Sequence, residues 1–381
     1  MRACAYDNNI FYSNPMKKRI LHLIWRFQGG GIETFCLNLY NQLIDRYQFE
    51  FAVCGPRQEQ EDLVEALDCK IYHLPEIKGK SGKKQYLDAL TGLLCEEKFD
   101  AVHSHLGFMN ISTLKIAAKL GIKNRISHTH VAPLVLKLPC EAAVRRFLMR
   151  RYATVCIGCS TPTTNFYYGR GNKVKTFYSS IDIGRYYSDN CRKGRKFIIV
   201  GRLSPEKSPG LILSIITELA KKDTTYSFIW IGVDECNVLT NSILPPPNAI
   251  ASRLYSSIRN NLELLIKQHR LLLTGFQSNV DQYLKESDYM LMPSKKEGLG
   301  MAAIEAQVSG VYVFASDRLP LDTDLGLISY LPYEMSASQW ADEIHNFVMN
   351  EMKYSRSLNR NRLQKFDITR IAEQIALFYE S

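Results

Sequence analysis

Nowhere in its 381 residues does the chain hold the roughly 20 consecutive apolar residues that cross a bilayer. A signal peptide's apolar core is missing too: the opening MRACAYDNNIFYSNP carries Asp7 and three asparagines instead. That opening is unlike the strand after it, which makes Met16 a candidate start, and the missing export signal points to the cytoplasm. Disulfide spacing is lacking as well. The ten cysteines, Cys4, Cys36, Cys54, Cys95 and Cys236 among them, scatter without a framework, as reduced thiols do in a domain too large to need staples. The only C-x-x-C, Cys156 and Cys159, has no second pair to complete a zinc site, so a structural role is expected. No short repeat is present. KGKSGKK (Lys78 to Lys84) imitates a phosphate-binding loop, but Leu74 stands where that loop needs its first glycine.

What is present is ordinary globular composition, 46% hydrophobic and 23% charged, in a chain long enough for two domains. The net charge of +10 favours an anionic partner. No nucleic-acid recognition motif accompanies it, so nucleic acid is the weakest of the possible partners.

Short, uniformly apolar runs read as buried parallel strands alternating with helices. RILHLIW, FEFAVC, KIYHLP, DAVHSH, RISHTH, TVCIGCS and KVKTFYS form one series. RKFIIVGRL, YSFIWIG, LLLTGF, YMLMPS and VYVFAS form a second, with a helix expected over Lys207 to Lys222. The polar stretch Tyr186 to Arg195 joins them. The pattern predicts an α/β fold of two doubly wound, Rossmann-like domains, 17–187 and 195–366, facing across a cleft. Between Val233 and Ala251, Pro245, Pro246 and Pro247 mark an inserted loop, and an amphipathic helix runs from Ile368 to Phe378.

In such folds ligands meet the loops at the carboxyl ends of strands. VGRLSPEKS places Arg202 after a strand and Lys207 at the next helix, where two cations suit a diphosphate. Taken alone, a surface Arg and Lys at a strand end are common. SKKEGLGMAAIEAQ is more specific: Glu297 and Glu305 lie eight positions apart, with Gly298, Leu299 and Gly300 between them at a helix start. Glycines let backbone N–H groups approach a phosphate, and carboxylates suit ribose and sugar hydroxyls.

These residues resemble retaining family-4 glycosyltransferases, which have the GT-B fold. EGLGMAAIEAQ is similar to their paired-glutamate motif, VGRLSPEK to their donor-phosphate motif, QGGGIETF to their N-terminal glycine loop and VHSHLG to their histidine loop. The likeness runs from about Lys18 to the C-terminus and is to bacterial capsule, O-antigen and exopolysaccharide enzymes. It implies that Arg202 and Lys207 bind the donor diphosphate and that Glu305 holds the ribose. Glu297, with the backbone of Gly298, Leu299 and Gly300, would meet the donor sugar. Gly29, Gly30 and Gly31 would approach the donor phosphate and the acceptor, and His105 would sit beside the reacting sugar. It implies a nucleotide-sugar donor, UDP-linked by family habit, no cofactor, no catalytic metal, and a last helix (367–381) crossing back onto the first domain. Tyr178-Ser179-Ser180 stands where many members have Pro-Asn-Gly.

His103 and His105, at one strand end, are expected to point to opposite faces. His128 and His130 repeat the arrangement, and His130 is an acceptor candidate or a scaffold residue. The segment Lys137 to Arg151 joins five cations to Val144, Phe147 and Leu148, which fits either an anionic membrane surface or a helix packed on its own domain. The expected function is retaining transfer of a sugar to a saccharide or polyprenyl-diphosphate-linked saccharide, in the cytoplasm or peripheral on the inner membrane face. A nucleotide-sugar epimerase or a non-catalytic partner of the same fold are the alternatives.

Overall fold

A computed structural model describes residues 17–27, 31–58, 61–130, 139–188, 194–232, 263–350 and 357–380. Seven strands build the first sheet: β1 (Lys18–Leu23), β2 (Tyr47–Cys54), β3 (Ile71–Leu74), β4 (Ala101–Ser104), β5 (Asn124–Thr129), β6 (Val155–Gly158) and β7 (Val174–Thr176). Six build the second: β8 (Lys196–Val200), β9 (Ser227–Ile231), β10 (Leu271–Gly275), β11 (Tyr289–Met292), β12 (Tyr312–Ser316) and β13 (Ile328–Leu331). All pairings between them are parallel, in the orders β3-β2-β1-β4-β5-β6-β7 and β10-β9-β8-β11-β12-β13.

Each order reverses direction once, between β1 and β4 and between β8 and β11. Loops diverge there to opposite faces of the sheet and leave a crevice at the carboxyl edge. Helices cover both faces of each sheet, so the strands are apolar on both sides, as the uniform hydrophobic runs require.

The last helix, Ile368–Glu380, buries Ile368, Ile371, Ala372, Ile375, Ala376 and Tyr379, a stripe at helical spacing. That stripe packs in the first sheet's core with Phe35, Leu39 and Leu43 of the helix Gly31–Leu43. At its end Glu380 accepts hydrogen bonds from Lys18 Nζ and Tyr47 OH, each 2.6 Å long. In the other direction Cys159, Ile181 and Tyr186 join a core of the second sheet. The chain thus crosses between the sheets twice.

Two expectations need correction. The helix expected from Lys207 begins at Pro209, and Pro205–Lys207 is a separate 3-10 turn. Ser208, at φ 56°, breaks the continuity, and Pro209 takes the first helical position, where its missing N–H does no harm. Strand β13 was not anticipated, because ISYL is only half-buried and interrupted by Ser329. KGKSGKK, excluded above as a phosphate-binding loop, runs instead into the helix Gly79–Glu96. The proline-rich loop and the segment before Lys17 lie outside the described residues.

Cys156 is buried against one face of the first sheet and Cys159 in the second sheet's core, so the C-x-x-C brings no pair together.

Candidate active site at the facing carboxyl edges

Around the second sheet's reversal, the loops after β8 and β11 are tied to each other. The carbonyl of Glu206 accepts from the backbone N–H of Lys295 at 2.8 Å and of Lys296 at 3.3 Å. This tie brings Lys207 Nζ to 2.5 Å from Glu297 Oε1, both side chains being mostly shielded from water. Gly201 lies behind it, where a Cβ would stand 3.2 Å from Lys207 Cε and crowd the lysine chain. Arg202, two residues past the end of β8, is exposed.

Gly300 caps the helix Met301–Val308 at φ 83°, a conformation that favours glycine. The loop before it is fixed by two carbonyls: Leu299 accepts from Thr323 Oγ1 at 2.5 Å, and Gly298 accepts from Ser160 Oγ at 3.0 Å. One turn into that helix Glu305 is buried, and burial raises its carboxyl from 4.5 to about 7 against the opposing pull of Arg185 and the Tyr186 hydroxyl. A carboxylate so placed gains from any ligand that donates hydrogen bonds to it.

Ser160 belongs to the first half, so its bond to Gly298 crosses between the sheets. Asp322 adds two more ties, accepting from the Thr161 N–H at 3.1 Å and from Tyr178 OH at 3.2 Å. A Cβ on Gly31 would stand 3.6 Å from Met301 Cγ, so the end of the first glycine loop abuts the helix of the paired glutamates. Gly29 and Gly30 lie outside the described residues. The two carboxyl edges therefore face each other, bringing Gly31, Lys207, Glu297 and the Gly298 to Gly300 turn to one cleft.

The histidines are arranged differently from expectation. Residues two apart on a strand share a face, and His103 and His105 stack with ring centroids 4.3 Å apart. His22 on β1 and His128 and His130 on and after β5 join them. Register explains this: β1 pairs His22 with His103, and β5 lies alongside β4. Short nitrogen-to-nitrogen hydrogen bonds link the rings: His22 Nδ1 to His105 Nε2 at 3.2 Å, His105 Nδ1 to His130 Nε2 at 3.0 Å, and His103 Nε2 to His128 Nδ1 at 3.2 Å. Tyr379 OH closes the row 2.7 Å from His103 Nδ1, and Ser179 Oγ lies 3.2 Å from His130 Nδ1. Desolvation holds all five rings below the usual histidine range, His22 and His130 at about 3. His105 is fully buried with both ring nitrogens engaged, whereas His130 is partly exposed. From this position His105 holds the ring of His130, the one histidine of the row that is partly exposed.

Sequence reasoning missed His22, Cys36, Ser160, Ser179, Asp322 and Tyr379. Only His22 carried a signal, as the one polar residue within the apolar run Ile20 to Trp25.

Residues 189–361 match the family described as Glycosyl transferases group 1. Over 384 aligned residues the chain is 24% identical to the capsular polysaccharide biosynthesis glycosyltransferase CapH of Staphylococcus aureus, covering 95% of this chain and 99% of CapH. It is 24% identical over 259 residues to the UDP-Gal:alpha-D-GlcNAc-diphosphoundecaprenol alpha-1,3-galactosyltransferase of Escherichia coli, covering 61% of each. Among solved structures, HepE of Anabaena, in complex with UDP and glucose, matches with a TM-score of 0.70 at 17% identity, covering 94% of this chain and 98% of HepE. Two facing, doubly wound parallel sheets with these neighbours make this a GT-B fold, and the stretch that matches the Glycosyl transferases group 1 family lies in its second half.

Proposed function

We propose that this chain is a retaining glycosyltransferase that moves a sugar from a UDP-sugar to the hydroxyl of a lipid-linked saccharide in surface polysaccharide synthesis. The observation that carries the reading is the Lys207–Glu297 pair beside the Gly298 to Gly300 turn at the strand-order reversal. Domains 17–187 and 195–366 divide the work, with 367–381 returning to the first. Arg202 and Lys207 take the donor diphosphate, and Lys207 exchanges its carboxylate partner for phosphate oxygens when the donor arrives. Glu297, released by that exchange, accepts from donor-sugar hydroxyls. The backbone of Gly298, Leu299 and Gly300 and the helix after it lie along the sugar and phosphate. Glu305 holds the ribose diol.

Gly29, Gly30 and Gly31 bring the first domain's backbone against the phosphate and the acceptor. His130, oriented by His105, contacts the acceptor. Catalysis then rests on placing acceptor and donor together and neutralising the leaving diphosphate, whose oxygen takes the acceptor proton, with no catalytic metal. HepE's complex with UDP and glucose and the diphosphoundecaprenol substrate in the name of the E. coli relative support the donor and acceptor classes.

The helix Pro139–Tyr152 is the proposed contact with the membrane. Val144 and Phe147 are 56% and 62% exposed on it, next to Arg145 and Arg146, with Arg151 exposed at its end. Lys137 lies outside the described residues. Of the described helices, none is long and apolar enough to cross a membrane.

The test is transfer of labelled sugar from UDP-glucose, UDP-galactose and their N-acetyl forms to polyprenyl-diphosphate acceptors, with the anomeric configuration of the product read by NMR. Retained configuration supports the proposal. Inverted product, or epimerised donor with no acceptor modified, would overturn it.

A further inference from the structure

We propose that His22, Cys36 and His105 together bind one zinc ion behind the candidate active site. His22 lies on β1, Cys36 on the helix Gly31–Leu43 and His105 just past β4, and all three are fully buried. Their donor atoms form a triangle. His22 Nδ1 is 3.2 Å from His105 Nε2, and Cys36 Sγ is 3.8 Å and 3.7 Å from those two atoms. Zinc bonds of about 2.0 Å to nitrogen and about 2.3 Å to sulfur, at tetrahedral angles, place two nitrogens about 3.3 Å apart and nitrogen and sulfur about 3.6 Å apart. The triangle has the edge lengths of one face of a tetrahedral zinc site before any side chain moves.

The ligand chemistry agrees with the geometry. Neutral imidazole is the form that binds metal, and burial keeps both rings neutral. Burial also pushes the Cys36 thiol up, an effect that a divalent ion at the sulfur reverses by stabilising the thiolate. Two histidines and one thiolate select a borderline-soft ion, and three protein ligands leave a fourth position open. His103, His105 and His128 also gather three donor atoms, but that set has no anionic ligand to offset a buried dication.

An outer shell is in place as well. The far nitrogen of His22 lies 3.5 Å from Tyr379 OH, and that of His105 lies 3.0 Å from His130 Nε2. Zinc on Nε2 of His105 leaves the proton on Nδ1, which then donates to His130; His130 in turn donates from Nδ1 to Ser179 Oγ. The ion thereby fixes tautomers and ring planes along the row that ends at His130 and Ser179. Zinc binding requires only the three ligands and would stand if glycosyl transfer did not.

The test is metal analysis of the untagged full chain grown with zinc, beside Cys36→Ala and His22→Asn. The expected result is about one zinc per wild-type chain after gel filtration, and at least about tenfold less in either variant against the same chelator. Reconstitution with cobalt gives a second readout: a thiolate-to-cobalt charge-transfer band in the wild type that Cys36→Ala lacks. The wild-type cobalt spectrum decides even where a variant does not fold. A folded wild type with neither zinc nor that band overturns the proposal, and so does zinc content unchanged by both substitutions.

Discussion

Replacing Glu305 by glutamine keeps the side chain's shape, removes the charge and turns one accepting oxygen into an N–H donor. Burial raises the folded-state carboxyl from 4.5 to about 7. Below pH 4.5 the group is protonated in both folded and unfolded chains and contributes nothing. Between pH 4.5 and about 7 the unfolded chain releases the proton and the folded chain holds it, so wild-type stability falls as pH rises. The slope is about 1.4 kcal/mol per pH unit, and the full loss is about 3 kcal/mol, complete above pH 7. Glu305→Gln has no such loss. The variant's advantage should widen by about 2 kcal/mol between pH 5.5 and pH 8, roughly 4 to 8 °C in midpoint for a domain of this size. Thermal unfolding followed by tryptophan fluorescence reads it, because Trp230 and Trp340 are both buried in the second sheet's core. UDP supplies the second arm. Ribose hydroxyls donate to the ionised carboxylate, so the wild-type shift with UDP should grow from pH 5.5 to pH 8 and that of the variant should not. A variant advantage that is the same at both pH values refutes the buried-carboxyl argument, and an equal response to UDP in both proteins removes Glu305 from the ribose site.

Lys207→Ala should lower kcat by about a hundredfold or more, as loss of a group that meets the developing charge does; near-normal turnover would remove it from the diphosphate site. Arg202→Ala should act in the same direction, checked in the same transfer assay. Phe147→Ser should weaken binding to vesicles containing anionic lipid, measured by sedimentation, with turnover on a water-soluble acceptor unchanged; equal sedimentation would refute membrane contact. The four fully buried rings His22, His103, His105 and His128 are held neutral, so stability is present above their ordinary pKa of 6.5 and lost as pH falls below it. Each ring contributes up to about 1.4 kcal/mol per pH unit, so the first half should unfold cooperatively between about pH 6 and pH 4 by circular dichroism. Flat stability over that range would mean that the rings are solvated.

Local chemistry made some of this molecule legible in the sequence and left the rest hidden. The strands were readable because helices cover both sheet faces, which forces short runs such as FIIV and FIWI to be apolar on both sides. The Gly298 to Gly300 turn was readable because its reasons are local: a positive φ at Gly300 and a helix start one residue later. The Lys207–Glu297 pair was half legible. Both residues stood in segments that follow strands, but their contact depends on the loops after β8 and β11 being neighbours, which strand order decides and spacing along the chain does not. The histidine row was the least legible part. Its members come from β1, β4, β5 and the last helix, separated by as many as 357 positions between His22 and Tyr379. Only the parallel register that sets His22 beside His103 turns isolated residues into a row. Parity along β4 was available from the start, since residues 103 and 105 must share a face. Applying it would have predicted that two buried imidazoles need polar partners, and other rings, hydroxyls, thiols and a metal ion are among the groups that supply them. The structure supplies rings, hydroxyls and a thiol there, with spacing that suits the ion as well.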